Sequence, residues 1–418
     1  MIGRIGGLMR HLIGSNVRYL DPVWSDAELE ELKCFLEDPE IYENELLQEF
    51  FIDPNANITF TNSGRTAIQL ALRASQFPQG SQVIIPSFAC SGVIEPILRE
   101  SLTPVYADID QSLNMSFESF KRNVGAATRA LVLPSIGGVA VRDRLKILEL
   151  AHSREIFIIE DLAQSTGLFP GYIETTYPKP QATVLSMGIG KPLFGTGGGA
   201  LFSTPLLEEK IRRVRISKEP YEVVLARVQR FVSNFLEPNP SKEVIQIILN
   251  AWSRIAVDEN RYDYSVDSNS IYEASNFDRK LANIQFGRLV KSIEIQRANA
   301  YAWKELFEEY GLGDGYSFPP FNSNTFSKFW ANGSKAGRLA VNRFRSALWR
   351  NGIETESLYT PLHHREAFAR YQTGELPLSD EISGNVFSLP VRANLSTADW
   401  VKIRRALSVA AKASMSDR

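Results

Sequence analysis

Residues 130–161 read ALVLPSIGGVAVRDRLKILELAHSREIFIIED, two short apolar runs separated by an amphipathic stretch of helical period. ALVLP (130–134) and IFII (156–159) are almost continuously apolar, as strands buried on both faces must be, while DRLKILELAHS (143–153) gathers its large apolar side chains on one helical face. Strand, helix, strand with short connections is a βαβ unit, and such units lay their strands parallel. The same alternation extends outward in both directions. NITFT (57–61) precedes TAIQLALRASQ (66–76), QVIIPS (82–87) precedes GVIEPILRES (92–101), and TPVYADID (103–110), ATVLSM (182–187) and GALFST (199–204) supply further strands. The predicted fold class is therefore α/β, with a mostly parallel central sheet flanked by helices.

The chain has 418 residues, 44% of them hydrophobic and 22% charged, enough for one large core and a smaller one. A net charge of −2 offers no footprint for a polyanion, and the basic group Arg212, Arg213 and Arg215 is local, so nucleic acid is not an expected partner. Two cysteines, Cys34 and Cys90, and four histidines, His11, His152, His363 and His364, form no CxxC or HExxH spacing, so neither a disulfide framework nor a metal site is expected. The opening MIGRIGGLMRHLIG is interrupted by Arg4 and Arg10 and does not read as a secretory signal. No stretch approaches the ~20 apolar residues of a membrane span, which makes the cytoplasm the expected compartment.

The expected organisation is an N-terminal arm with helices over 1–55, a large domain over 56–290, and a small α+β domain over 291–418. Residues 216–272 break the βα rhythm. RVQRFVSNFL (227–236) and EVIQIILNAWSRI (243–255) suggest two helices around the turn-rich EPNPSKE (237–243), followed by the polar VDENRYDYSVDSNS (257–270). This helical insertion has three open readings: packing on the main domain, acting as a lid, or forming an interface, membrane contact included. Beyond it, RKLANIQFGRLVKSIEIQRANAYAWKELFEEYG (279–311) reads as a long helical pattern leading into the small domain.

Three stretches carry candidate chemistry. In LSMGIGKPLFGTGGGALFST (185–204), Lys191 sits among glycines between two strands. A P-loop would need Ser or Thr after the lysine, where Pro192 stands, and a dinucleotide fingerprint belongs at the first strand-to-helix turn. A tight hairpin with a solvent-facing lysine stays open. In IIEDLAQSTG (158–167), Glu160 and Asp161 emerge at the carboxyl end of a buried strand, where open α/β sheets place ligands; capping of a following helix is the alternative for Asp161. In TFTNSGRTAIQL (59–70), a strand runs through Asn62, Ser63 and Gly64 into a helix beginning near Arg65 or Thr66. Its free N–H groups make either an anion site or an ordinary N-cap. An amine, a strand-end carboxylate and a phosphate-grade helix start are together what pyridoxal 5′-phosphate requires.

With these blocks in view, the chain resembles the DegT/DnrJ/EryC1/StrS family of fold-type-I pyridoxal-phosphate aminotransferases, dominated by nucleotide-sugar enzymes. TNSGRTAIQLALRA looks like its phosphate turn, VIIPSFACSGVIEPILRESLTPVYADID its second βαβ block, and FIIEDLAQSTG its Asp-x-x-Gln motif. LSMGIGKPLFGTGGGALF looks like its lysine motif, and NGIETESLYTPLHHREAF its small-domain segment. The resemblance implies that Lys191 is the catalytic, cofactor-bearing lysine and Asp161 the partner of the pyridine nitrogen. It further implies Gln164 near the phenolic oxygen, and Ser63, Gly64, Arg65 and Ser186 around the phosphate. It also implies a homodimer with sites at the interface, an amino-acid donor such as glutamate and a keto-sugar nucleotide acceptor.

The departures are informative. Where the family usually has an aromatic ring against the pyridine, this chain has Cys90, a candidate cofactor contact through its softer thiol, unless another ring such as Phe88 covers that face. After ALVLP the family continues with a His and a Tyr-Gly pair, and here SIGGVA follows. Asn276 is the nearest match to a phosphate ligand supplied by the partner subunit, with a register shift of about two positions. His363 matches the family's PLH histidine and is a candidate substrate contact. A non-sugar ketone, on a lipid or a natural-product scaffold, is the alternative acceptor.

Overall fold

The computed structural model describes residues 17–19, 24–37, 57–167, 178–235, 269–321 and 325–415. Its centre is a seven-stranded sheet of β1 (Asn57–Thr61), β2 (Gln82–Pro86), β3 (Thr103–Ala107), β4 (Thr128–Pro134), β5 (Phe157–Asp161), β6 (Ala182–Ser186) and β7 (Gly199–Ser203). Across the sheet the order is β1-β7-β6-β5-β4-β2-β3. Strands β3, β2, β4, β5 and β6 pair parallel, and β7 runs antiparallel to both β6 and β1. All seven apolar runs thus form strands of one mostly parallel sheet.

Alternate residues of each strand go to opposite faces, as the two-residue period of a strand dictates. Val83, Ile85, Ala130, Val132 and Ile159 pack with Ala67, Ile68, Leu70, Ile94 and Ile97 of the helices Gly64–Ser75 and Ser91–Arg99. Ile84, Leu131, Leu133 and Ile158 pack with Phe120, Ile147 and Leu148 of the helices Phe117–Asn123 and Arg144–Ser153. Both faces are covered, which explains why the strands read as unbroken apolar runs. Inside the second layer lies an ion pair, Arg144 Nε to Glu160 Oε1 at 2.5 Å and Nη2 to Oε2 at 2.7 Å, with the Glu160 side chain 1% exposed.

A second core gathers Trp303, Phe307, Phe326, Phe329, Phe344, Phe387, Ile403 and Leu407. It is built from the helices Arg338–Arg350 and Thr397–Met415 and an antiparallel sheet of Trp330–Asn332, Val386–Ser388 and Glu356–Ser357. The helix Leu289–Glu309 crosses the expected 290/291 boundary. Leu289 and Ile293 pack in the large-domain cluster with Leu185 and Met187, whereas Ala300 and Trp303 belong to the second core.

The insertion starts on a strand. Ile216–Ser217 pairs parallel with Ile271–Tyr272, so residues 216 and 271 are neighbours in a two-stranded sheet. The first expected helix is present and longer than its apolar core suggested, Tyr221–Phe235. The second, expected over 243–255, lies outside the described residues, as does most of the 1–55 arm except 17–19 and 24–37, where Asp26–Glu37 is helical.

Candidate active site

Strands β6 and β7 form a hairpin, and its long connection carries Lys191. The backbone there folds back on itself, with Lys191 N–H donating to the Gly188 carbonyl (3.2 Å) and Met187 N–H to that of Gly198 (2.9 Å). The hairpin reading is right about topology, but the amine does not face solvent. Burial pushes its pKa down from that of a free lysine and Lys328 adds to the depression, while the carboxylates of Asp161, the larger effect, and Glu356 act against it.

Asp161 ends β5, and a turn follows it, so the helix-capping alternative does not apply; its Oδ1 accepts the Ala163 N–H at 2.9 Å. Burial raises its pKa first and foremost, and Lys191 and that N–H lower it. Both residues are half-buried.

Gln164, three residues on, uses both ends of its amide. Oε1 accepts the Gly137 N–H at 2.7 Å, and Nε2 donates to the hydroxyl of Tyr359. Tyr359 comes from the small domain, and sequence reasoning did not single it out. Its signal was slight: one aromatic in ETESLYTPLHH, four residues before His363.

The strand-to-helix turn forms where expected. Ser63, in extended backbone, caps the helix Gly64–Ser75, its Oγ accepting the Thr66 N–H at 3.1 Å. A Cβ on Gly64 would lie 3.1 Å from the Ser186 Cβ, so the absence of a side chain brings the helix start against the end of β6. A Cβ on Gly199 would lie 2.5 Å from the Ser63 carbonyl carbon and 2.6 Å from the Gly64 nitrogen. The glycines after Lys191 therefore serve close approach of backbone to the turn, more than open space around a ligand. Arg65 points to the next helix, its Nη1 3.0 Å from Glu95 Oε2, and its buried Nε has no hydrogen-bond partner.

Comparison with known proteins places this geometry. The model of the DegT/DnrJ/EryC1/StrS aminotransferase family matches residues 41–221 and 245–408. The chain belongs to this family. It is 32% identical to the GDP-perosamine synthase of Vibrio cholerae over 110 residues, a match spanning 26% of this chain and only 30% of that protein. It is 22% identical to the GDP-perosamine synthase of Caulobacter vibrioides over 360 residues, 83% of each. Among solved structures, Helicobacter pylori PseC, an aminotransferase involved in the biosynthesis of pseudoaminic acid, aligns with a TM-score of 0.72 at 14% identity, covering 95% of this chain and 100% of that one. The fold is that of the fold-type-I pyridoxal-phosphate-dependent transferases.

Within this DegT/DnrJ/EryC1/StrS member, the departing residues have defined places. Cys90 caps the helix Ser91–Arg99, its Sγ accepting the Gly92 N–H at 3.4 Å. The SIGG loop is a seat for the small domain. Gly137 and Gly138 have φ of 69° and 80°, Thr325 N–H donates to the Gly138 carbonyl at 2.9 Å, and Lys328 N–H to that of Gly137 at 3.2 Å. A Cβ on Gly138 would lie 2.2 Å from Thr325 Oγ1 and 2.8 Å from the Ser327 nitrogen, which leaves no room for a side chain.

Two candidates stand apart from this cluster. Asn276 is exposed and opens the helix Asn276–Phe286 beside its cap, Ser275. His363, proposed above to touch substrate, is 5% exposed with both ring nitrogens occupied: Nδ1 by Ser87 Oγ and Nε2 by Asp380 Oδ1 at 2.9 Å. His364 Nε2 lies 2.6 Å from the same carboxylate oxygen. These bonds pin the small-domain turn to the end of β2, a packing role that leaves His363 without a free nitrogen for substrate.

Proposed function

We propose that the chain is a pyridoxal 5′-phosphate-dependent aminotransferase that passes an amino group from an amino acid, glutamate being the natural donor to test first, to a keto group of a nucleotide-activated sugar. The observation that carries this reading is the pair of Lys191 and Asp161, each the strongest charge on the other, on a sheet whose neighbouring strand end, Ser186, packs against the helix start at Gly64.

The residues present fit the cofactor. A cationic ring nitrogen beside Asp161 would satisfy a carboxylate that burial otherwise drives toward its neutral form. The side-chain-free Gly64 and the unpartnered Arg65 Nε suit a phosphate at the helix start. When bound, the cofactor supplies an aldehyde carbon for amines and an electron sink.

The chain's own groups do the rest. The environment that lowers the Lys191 pKa raises its share of free amine, which makes Nζ a nucleophile for covalent attachment. With the donor's amine at the cofactor in its place, the same Nζ would be free to take the proton from the donor's Cα and to return it at the cofactor's aldehyde carbon, two bonds away. Gln164, fixed by the Gly137 N–H, and Ser186 would orient the ring and phosphate.

The proposal includes a cytoplasmic homodimer in which Asn276 reaches the partner's phosphate turn. In support, Asn276 is exposed beside a groove of about 380 Å³ lined by Tyr221, Val224, Val228 and Phe277, and among the described residues no helix is long and apolar enough to cross a membrane.

The test is a two-stage reaction. Incubation with glutamate should release one equivalent of 2-oxoglutarate per site, and the enzyme so charged should then aminate a keto-sugar nucleotide. Preference for a ketone without a nucleotide would replace the sugar reading by the second one, which the altered SIGG loop favours: the side chains of the family's usual segment are exchanged there for a domain contact.

A further inference from the structure

An aromatic ring from the small domain meets the segment that leads to Cys90. Tyr359 follows the strand Glu356–Ser357 and is half-buried, its ring meeting that of Phe88 edge-on at 5.7 Å and 68°. Phe88 is two residues before Cys90, on the segment between β2 and the helix Cys90 caps. The Tyr359 hydroxyl is bonded to Gln164, which lies three residues from Asp161. Through Phe88 and Gln164 the ring touches the segment before Cys90 and the turn after Asp161, and burial drives its phenol well above the ordinary pKa.

We propose that Tyr359 is the residue whose ring packs against the cofactor in this chain, doing from the small domain what a thiol at position 90 cannot. This rests on the pyridoxal-phosphate reading of the site. The physical need is general: a flat heteroaromatic ring held in a protein gains from an aromatic neighbour, and a cysteine offers a small sulfur contact in its place. Two features fix the phenol for this task. Phe88 holds the ring edge, and the Gln164 amide, itself locked by the Gly137 N–H, holds the hydroxyl. Gly137 also receives the small domain through Lys328, so the ring and the domain contact share one anchor. Cofactor retention is thereby tied to seating of the small domain.

The experiment measures the dissociation constant of pyridoxal 5′-phosphate from the full-length protein by absorbance titration of apoprotein, with circular dichroism of the bound chromophore as a second readout. Tyr359→Ala should weaken binding roughly 3- to 10-fold, the range of one aromatic contact, and change the chromophore's dichroism. Tyr359→Phe, which keeps the ring, should stay within about twofold of the parent. Cys90→Trp introduced into Tyr359→Ala should recover affinity, which a merely structural defect would not allow. Parental affinity and dichroism in Tyr359→Ala, equal losses in the Phe and Ala variants, or no recovery with Cys90→Trp would each overturn the proposal. Failure of the unaltered protein to bind the cofactor would instead remove the reading on which it rests.

Discussion

The carboxylate of Asp161 is the strongest charge acting on the Lys191 amine, and the amine is the strongest charge acting on the carboxylate. Each is held by burial against its ordinary ionisation, and each partly rescues the other. A buried pair of this kind costs desolvation energy, which the site can recover when a ligand brings complementary charge.

Removing one member should therefore separate chemistry from binding. Lys191→Ala is expected to lower turnover by at least about 10²–10⁴-fold, the range of a positioned acid–base group, while phosphate-end contacts still retain cofactor. Steady-state assays beside a cofactor titration check both. Asp161→Asn should keep the fold and lose activity together with the absorbance signature of a protonated ring nitrogen.

The apoprotein should have a characteristic pH dependence. The folded pKa of Lys191 lies below its unfolded value, so between the two the unfolded chain binds more protons, and stability rises with pH through that window. For Asp161 the folded value lies above the unfolded one, so the folded chain binds more protons there and stability falls as pH rises. The double variant Asp161→Asn, Lys191→Met should flatten both slopes and be neutral or more stable by about 1–4 kcal/mol in apo form, measured by urea unfolding across pH.

Gly199→Ala is expected to damage the phosphate turn without touching a ligand. The new Cβ would meet backbone of Ser63 and Gly64 within 2.7 Å, and backbone cannot swing aside. A loss of about 1–3 kcal/mol in stability and a weaker affinity for cofactor should appear together in thermal unfolding and titration.

Arg144→Met should be severe for a different reason. It leaves Glu160, 1% exposed, with its charge unpaired beneath the sheet, at a cost of about 3–5 kcal/mol. Adding Glu160→Leu should recover most of that loss in denaturant melts, because a hydrophobic pair replaces the ionic one.

The sequence made the strands legible because burial on both faces leaves unbroken apolar runs, and the turn from β1 into its helix legible because Ser63 and Gly64 obey local capping rules. Lys191 and Asp161 stood out through their setting, a lysine among glycines and a carboxylate ending an apolar strand. What could not be seen was whatever depends on distant segments meeting. The Gln164–Tyr359 bond spans 195 residues, and the bond from Ser87 that occupies His363 spans 276. SIGG reads as a loop stripped of substrate groups, whereas its two glycines have no room for a side chain: Lys328 and Trp330 lie directly over Gly137, and Thr325 and Ser327 over Gly138. The start of the insertion misled in the same way: Ile216–Ser217 becomes a strand only because Ile271–Tyr272 returns beside it.

The central claim is that Lys191 Nζ holds the cofactor covalently. Borohydride treatment of the protein loaded with pyridoxal 5′-phosphate, followed by proteolysis and mass spectrometry, tests it most directly. The account predicts loss of the visible absorbance and a reduced pyridoxyl group on the peptide containing Lys191 and on no other lysine; an unmodified Lys191, with the label elsewhere or absent, would contradict it.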